Sequence, residues 1–216
     1  MAIATGRFLM DGVDLYTTYK VIVESVEGLD IIPKAKKRDS HDWPDESGVD
    51  INPSTALVYE PMSISLRCKL VESSYTTAVK KLNGLISALS AVNHRILNST
   101  FRGQLFPVLY DEVSDLKPIG GLSRSEVVLS FTIKLTCPYP ERRKGVATVT
   151  AGQTATVAHG TGKEFIVWWG DGTFSKGFTT LTHTYTNAGT YTVLAAGTGM
   201  ATAVFTNTRI VMEAFV

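Results

Sequence analysis

Hydrophobic and polar positions change period several times along the chain, and each change marks an element. Met62, Ile64, Leu66, Cys68 and Leu70 alternate with Ser63, Ser65, Arg67 and Lys69, which predicts a strand with one buried and one wet face. Phe106, Val108 and Tyr110 keep the period of two, as do Val127, Leu129, Phe131, Ile133 and Leu135. Between them, over Ser74 to Asn93, the period becomes helical. Val79, Leu82, Leu85, Ile86, Leu89 and Val92 recur three and four positions apart, which at about 100° per residue forms one apolar stripe. Ser74 suits the N-cap, and Asn93 tolerates a left-handed terminating conformation. The opposite face carries Gly84, Ser87, Ala88 and Ala91, with Lys80 and Lys81 at its margin. Small side chains let another backbone approach, so these four residues are a candidate assembly face; the same pattern also fits an exposed, weakly charged helix face.

The chain opens with short apolar runs on either side of Asp11-Gly12, a dipeptide suited to a tight hairpin because both positions accept positive φ. Tyr19 to Val26 reads as a strand, and Leu29 to Ile32 as a second short one before Pro33. Lys34 to Ser54 then breaks the pattern with basic residues, acidic residues, two prolines and little that is apolar except Trp43, Val49 and Ile51. It reads as a long loop, a feature that in compact domains is usually functional or mobile. Its acidic run from Asp39 to Asp50 lacks the alternating acids, central glycine and terminal Glu of a calcium loop. DEVSDLKPIGGLSRSE, from Asp111, reads as a polar connection with its acids on a solvated turn.

A sheet-rich domain with a single helix thus accounts for residues 1–138, residues 139–145 form a linker, and residues 146–216 form a second domain. The linker expectation rests on CPYPERRKG, which holds two prolines, a charge cluster and a glycine. Beyond it, seven short strand-like pieces with turn signals between them predict an immunoglobulin-like sandwich. The fold class is mainly β: an antiparallel barrel or sandwich with one packed helix, then a β-sandwich.

Composition narrows the chemistry. The formal net charge of +1 gives no reason to expect a nucleic-acid groove or membrane insertion. No apolar run approaches the roughly 20 residues that span a bilayer, and the N-terminus lacks a secretory pattern. Cys68 and Cys137, the two cysteines, read as buried free thiols. No cofactor, metal site or catalytic constellation is expected.

The densest local signal is Trp169-Gly170-Asp171-Gly172-Thr173, followed by His183-Thr-Tyr185 and Gly189-Thr-Tyr191-Thr-Val193. Gly170-Asp171-Gly172 suits a turn needing positive φ, and Tyr185 suits a tyrosine corner tying a loop to a strand. Asp171 and His183 could be paired as acid and base, but no nucleophile accompanies them. This constellation resembles the PKD domain family over residues 146–216, with Val167 and Phe165 filling positions where that family usually has a Trp two residues before the aromatic. If Phe165, Val167 and Trp169 point inward, Ile166 and Trp168 point outward, making them a candidate contact surface for sugar or protein.

The order of elements in residues 1–138 resembles the distal tail proteins of long-tailed bacteriophages and, more distantly, tail-tube proteins. The features are the Asp11-Gly12 hairpin, the strand at Tyr19–Val26, the excursion through Trp43 and Gly48, an alternating strand, one helix from Ser74 and a closing hairpin. The resemblance implies a homohexameric ring at the end of a tail tube, joined to baseplate or receptor-binding proteins and carried in the virion tail after synthesis in the host cytoplasm. The PKD domain would be displayed outward, with surface carbohydrate as a further partner. A free carbohydrate-binding or adhesion module and a tail-tube protein are the alternatives.

Overall fold

The computed structural model describes residues 6–30, 32–38, 40–42, 44, 45, 47, 48, 50, 51, 54, 57–119 and 126–214. In chain order the elements are β1 (Phe8–Met10), β2 (Val13–Asp14), α1 (Leu15–Tyr19), β3 (Val21–Glu27), β4 (Ser40–His41), β5 (Asp50–Ile51), β6 (Met62–Glu72) and α2 (Tyr75–Leu89). There follow β7 (Arg95–Ser99), β8 (Gln104–Ile119), β9 (Val127–Cys137), β10 (Arg142–Val149), β11 (Thr154–Ala158) and β12 (Phe165–Trp168). The last are β13 (Phe174–Gly177), β14 (Thr180–Thr184), β15 (Gly189–Gly197), β16 (Val204–Thr206) and β17 (Arg209–Ala214). The fold is mainly β with antiparallel pairing. Two compact units emerge: Met1–Ile31 with Met62–Pro138, and Ile32–Pro61 with Tyr139–Val216. The excursion therefore groups with the C-terminal half. Trp43 and Asp39 of that excursion, and the Gly120-Gly121 break, lie outside the described residues.

The first unit is a seven-stranded sheet in the order β2-β1-β7-β8-β9-β6-β3. Asp11 and Gly12 take φ of 52° and 83°, as the β1–β2 turn requires. On β6 and β9 the alternating residues Ile64, Leu66, Leu70, Phe131, Ile133 and Leu135 are buried, and α2 packs against these two strands. The Ser74 hydroxyl accepts from the Thr77 amide at 3.2 Å, capping α2, and Asn93 takes φ of 79° beyond its end. Val92 departs from the expected stripe: the helix stops at Leu89, and Val92 is 85% exposed. Leu29, expected in a strand, lies in a bend and is buried.

Strand β8 corrects the polar connection read after Tyr110. Residues 104–108 pair with β7, whereas 109–119 pair with β9 across two register shifts. Asp111, Glu112 and Lys117 thus belong to a strand, and Asp115 takes φ of 55° inside one of the shifts. A strand segment with a solvated face accommodates charges that a strand buried on both faces would exclude. Lys134 reaches Glu112 at 2.6 Å, and the Thr136 hydroxyl donates to Asp111 at 2.7 Å.

The second unit holds a sandwich of a five-stranded sheet, β13-β12-β15-β10-β17, and a three-stranded sheet, β14-β11-β16. Ala147, Val149, Val157, Phe165, Val167, Trp169, Val193 and Ala195 meet in one core. The predicted linker is shorter in conformation than in composition, because Arg142 to Gly145 pair with β15 as part of β10. Strand β13 went unpredicted because FSKG carries no alternation.

Candidate functional site

The candidate assembly face on α2 is divided by its surroundings. Gly84, Ser87 and Ala91 are exposed, and Ala88 is half-buried. A side chain added at Gly84 would come 3.8 Å from Tyr19 Cε1, so part of the small-residue stripe accommodates this chain's own α1. That five-residue helix was invisible to periodicity, although its N-cap left a signal. The Asp14 carboxylate accepts from the amides of Tyr16 at 2.9 Å and Gly6 at 2.7 Å and from the Thr17 hydroxyl at 3.0 Å. Partial burial works to raise the Asp14 pKa, but those hydrogen bonds outweigh it and hold the carboxyl below its ordinary value.

Beside Ala88 lies a cavity of about 150 Å³ lined by Met10, Asp11, Val13, Tyr19, Leu85, Ala88, Leu89 and Arg95. Its polar rim is partly satisfied, with Arg95 Nε buried and without a hydrogen-bond partner. Asp11 accepts from the Ile96 amide at 2.8 Å and pairs with Arg95 at 3.1 Å. The rest of the lining is largely apolar, bordered by Val13 at 42% exposure. This juxtaposition of small helix residues with an apolar groove depends on α1 and the β1–β2 hairpin, and no local sequence pattern announces it.

In the second unit the structure brings Trp169, Gly170, Asp171, Gly172, His183, Tyr185 and Tyr191 together. Gly170 and Gly172 take φ of 88° and 92°. Asp171 Oδ1 accepts from the Thr173 amide at 3.0 Å and hydroxyl at 2.6 Å, while Oδ2 meets His183 Nε2 at 2.6 Å. Burial tends to raise the Asp171 pKa, yet the Thr173 and His183 hydrogen bonds prevail and hold it below the ordinary carboxylate value. The His183 ring stacks on Trp169 with centroids 5.3 Å apart and meets Tyr185 edge-on at 4.7 Å. Tyr185 is fully buried, stacks on Tyr191 and donates its hydroxyl to the Trp169 carbonyl at 2.9 Å. Burial pushes its phenol up to about 12. Gly189 begins the strand that carries Tyr191. The Asp171 carboxylate, His183 Nε2 and the Tyr185 hydroxyl are each committed to a neighbour, and the arrangement does the work of a clasp between strands.

The proposed outward pair does not form as expected. Phe165, Val167 and Trp169 are buried in the core, but Ile166 is also buried, at 3% exposure, and Trp168 is half-buried. Ile166 lies opposite Ala196 and Trp168 opposite Leu194 on β15, and both partners are buried too. The outer side of this sheet centre is therefore a second apolar layer, and strand alternation alone could not reveal that it is covered. Ile166 is withdrawn as a contact residue. Among the described residues, no group of three or more His, Cys, Asp or Glu side chains is placed to hold a metal ion, and no helix is long and apolar enough to cross a membrane.

No family model matches the sequence, and none of the curated proteins matches it. Among solved structures, the chain is similar to the SPP1 Dit protein, described as a paradigm of the hub adsorption apparatus in phages infecting Gram-positive bacteria. The identity is 15% and the TM-score 0.49, over 97% of this chain and 86% of that one.

Proposed function

We propose that this chain is a structural component of a bacteriophage or prophage tail. It forms a homohexameric ring at the distal end of the tail tube, joined to the baseplate or adsorption apparatus, and displays residues 146–216 outward as a PKD domain. The observation that carries the reading is the surface of α2, which exposes Ser87 and Ala91 and whose Leu85, Ala88 and Leu89 line an apolar groove with Met10 and Val13. Small residues permit close backbone approach, and the groove offers apolar surface to a neighbouring copy. Residues 109–119 of β8 add a second attachment: among the described residues, the strand beyond Val108 pairs only with β9, so its other edge can accept a further strand.

The order of elements supports the same reading, with the tight β1–β2 hairpin, the alternating strand β6, the long helix α2 and the closing β8–β9 hairpin all in sequence. The reading assigns no reaction to the chain: Asp171 and His183, the pair most open to a catalytic interpretation, are spent on a turn and an aromatic stack. Negative-stain electron microscopy of the purified full-length protein at high concentration tests the proposal. Class averages with six-fold rings are expected. Particles of protomer size alone, with no ring at any concentration, would overturn it.

A further inference from the structure

We propose that the second unit carries a site for a small oxyanion bearing hydroxyl groups, at the corner where the chain passes from one sheet of the sandwich to the other. This goes beyond the tail reading and does not depend on ring assembly. Strand β16 belongs to the three-stranded sheet and β17 to the five-stranded one, so Asn207 and Thr208 make the crossing. Asn207 takes φ of 58° and donates its Nδ2 to the Thr154 carbonyl at 2.7 Å, which pins the corner to β11. On the other side the corner rests on β10 at a register shift between Lys144 and Gly145. A Cβ at Gly145 would stand 2.4 Å from Thr208 Cγ2. The Thr208 side chain thus packs directly over the glycine.

The corner and β10 enclose a shallow cavity of about 420 Å³ lined by Val146, Thr148, Gln153, Asn207 and Arg209. Its chemistry is one-sided: among the described residues of the lining, one cation, two amides and a hydroxyl surround a single apolar residue, with no carboxylate. Arg209 is exposed and, among the described residues, has no ion-pair partner. The two amides are held in place by the backbone. Gln153 Oε1 accepts from the Thr150 amide at 3.0 Å, leaving its Nε2 to donate, and Asn207, with Nδ2 engaged, leaves its carbonyl oxygen to accept. The Thr148 hydroxyl is 3.4 Å from that of Thr190 and retains further capacity.

A guanidinium presents paired N–H donors that match the oxygens of a carboxylate or phosphate. Amides fixed by other bonds lose little freedom when they bind, and they suit hydroxyl groups flanking the anion. The ligand class is therefore a carboxylate or phosphate attached to a sugar or polyol, held with affinity on the order of 1 mM by one charge and a few hydrogen bonds.

Titration of the full-length protein followed by amide NMR tests the site, using D-glucuronate, glycerol 3-phosphate and the neutral control D-glucose. Both anions should shift the amides of Val146, Thr148, Gln153, Asn207 and Arg209 saturably, while glucose leaves them in place; the tighter anion identifies the source of the charge. Arg209→Gln should weaken binding by about tenfold or more, and Gln153→Ala by a few-fold, with the rest of the spectrum unchanged. Absence of saturation up to roughly ten times that affinity, equal shifts with glucose, or unaltered binding in folded Arg209→Gln would each overturn the proposal.

Discussion

His183 Nε2 lies 2.6 Å from Asp171 Oδ2, and the same imidazole is stacked on Trp169. The pair thus joins a polar turn to the aromatic core of the second unit. Because the folded carboxyl is held below its ordinary value, its contribution to stability is fully present above the unfolded value of about 3.9 and is lost as pH falls through the folded value. Asp171→Asn should cost about 1–3 kcal/mol at neutral pH. In urea unfolding, the gap between wild type and variant should narrow below about pH 4. A gap independent of pH down to acid unfolding would show that the carboxylate charge contributes nothing.

Two glycines of the same turn separate strain from collision. Gly172 has φ of 92° with open space where a Cβ would go, whereas at Gly170, with φ of 88°, a Cβ would stand 2.5 Å from the Thr192 carbonyl oxygen. Gly172→Ala should destabilise by about 1 kcal/mol and Gly170→Ala by about 3 kcal/mol or more. Thermal denaturation of both variants checks the ordering, and equal losses would contradict it.

The burial of Ile166 makes a prediction opposite to that of an exposed contact residue. Ile166→Asp should cost about 3 kcal/mol or more by placing a charge in an apolar layer. Phe178→Asp, at a position 58% exposed, should change stability by less than about 0.5 kcal/mol. Chemical denaturation that found Ile166→Asp as harmless as Phe178→Asp would restore the outward reading.

Cys68 and Cys137 are buried free thiols, and burial, followed by the nearby Glu24 charge, pushes the Cys68 thiol well above its ordinary value. Thiolate is the reactive form. Native protein should therefore give no rapid colour with a disulfide reagent at neutral pH and two equivalents after denaturation. Rapid stoichiometric labelling of the native protein would contradict the packing of β6 and β9.

Much of the fold is legible in local pattern. The alternation in Met62–Leu70 and Val127–Leu135, and the helical period with its Ser74 cap, specify β6, β9 and α2 because each buries one face on a common core. The clasp around Trp169, His183 and Tyr185 is legible because its chemistry is carried by residue types at short spacing. The continuation of β8 is not, since Asp111, Glu112, Asp115 and Lys117 have loop composition and are strand residues only through pairing with β9. Likewise α1 is too short to show a period. The covering of Ile166 and the division of the small-residue stripe by Tyr19 are tertiary facts that no window of sequence encodes.

The central claim is self-assembly through the α2 surface, and light scattering after size exclusion across a concentration series tests it most directly. Ser87→Glu and Ala91→Glu are the informative variants, because both positions are exposed, whereas Gly84 faces Tyr19 within the same chain. Wild type should approach the mass of six protomers at the upper end of the series, and each variant should remain a folded monomer. A wild-type protein that stays monomeric throughout, or a hexamer indifferent to both substitutions, would contradict the assignment of this face to ring assembly.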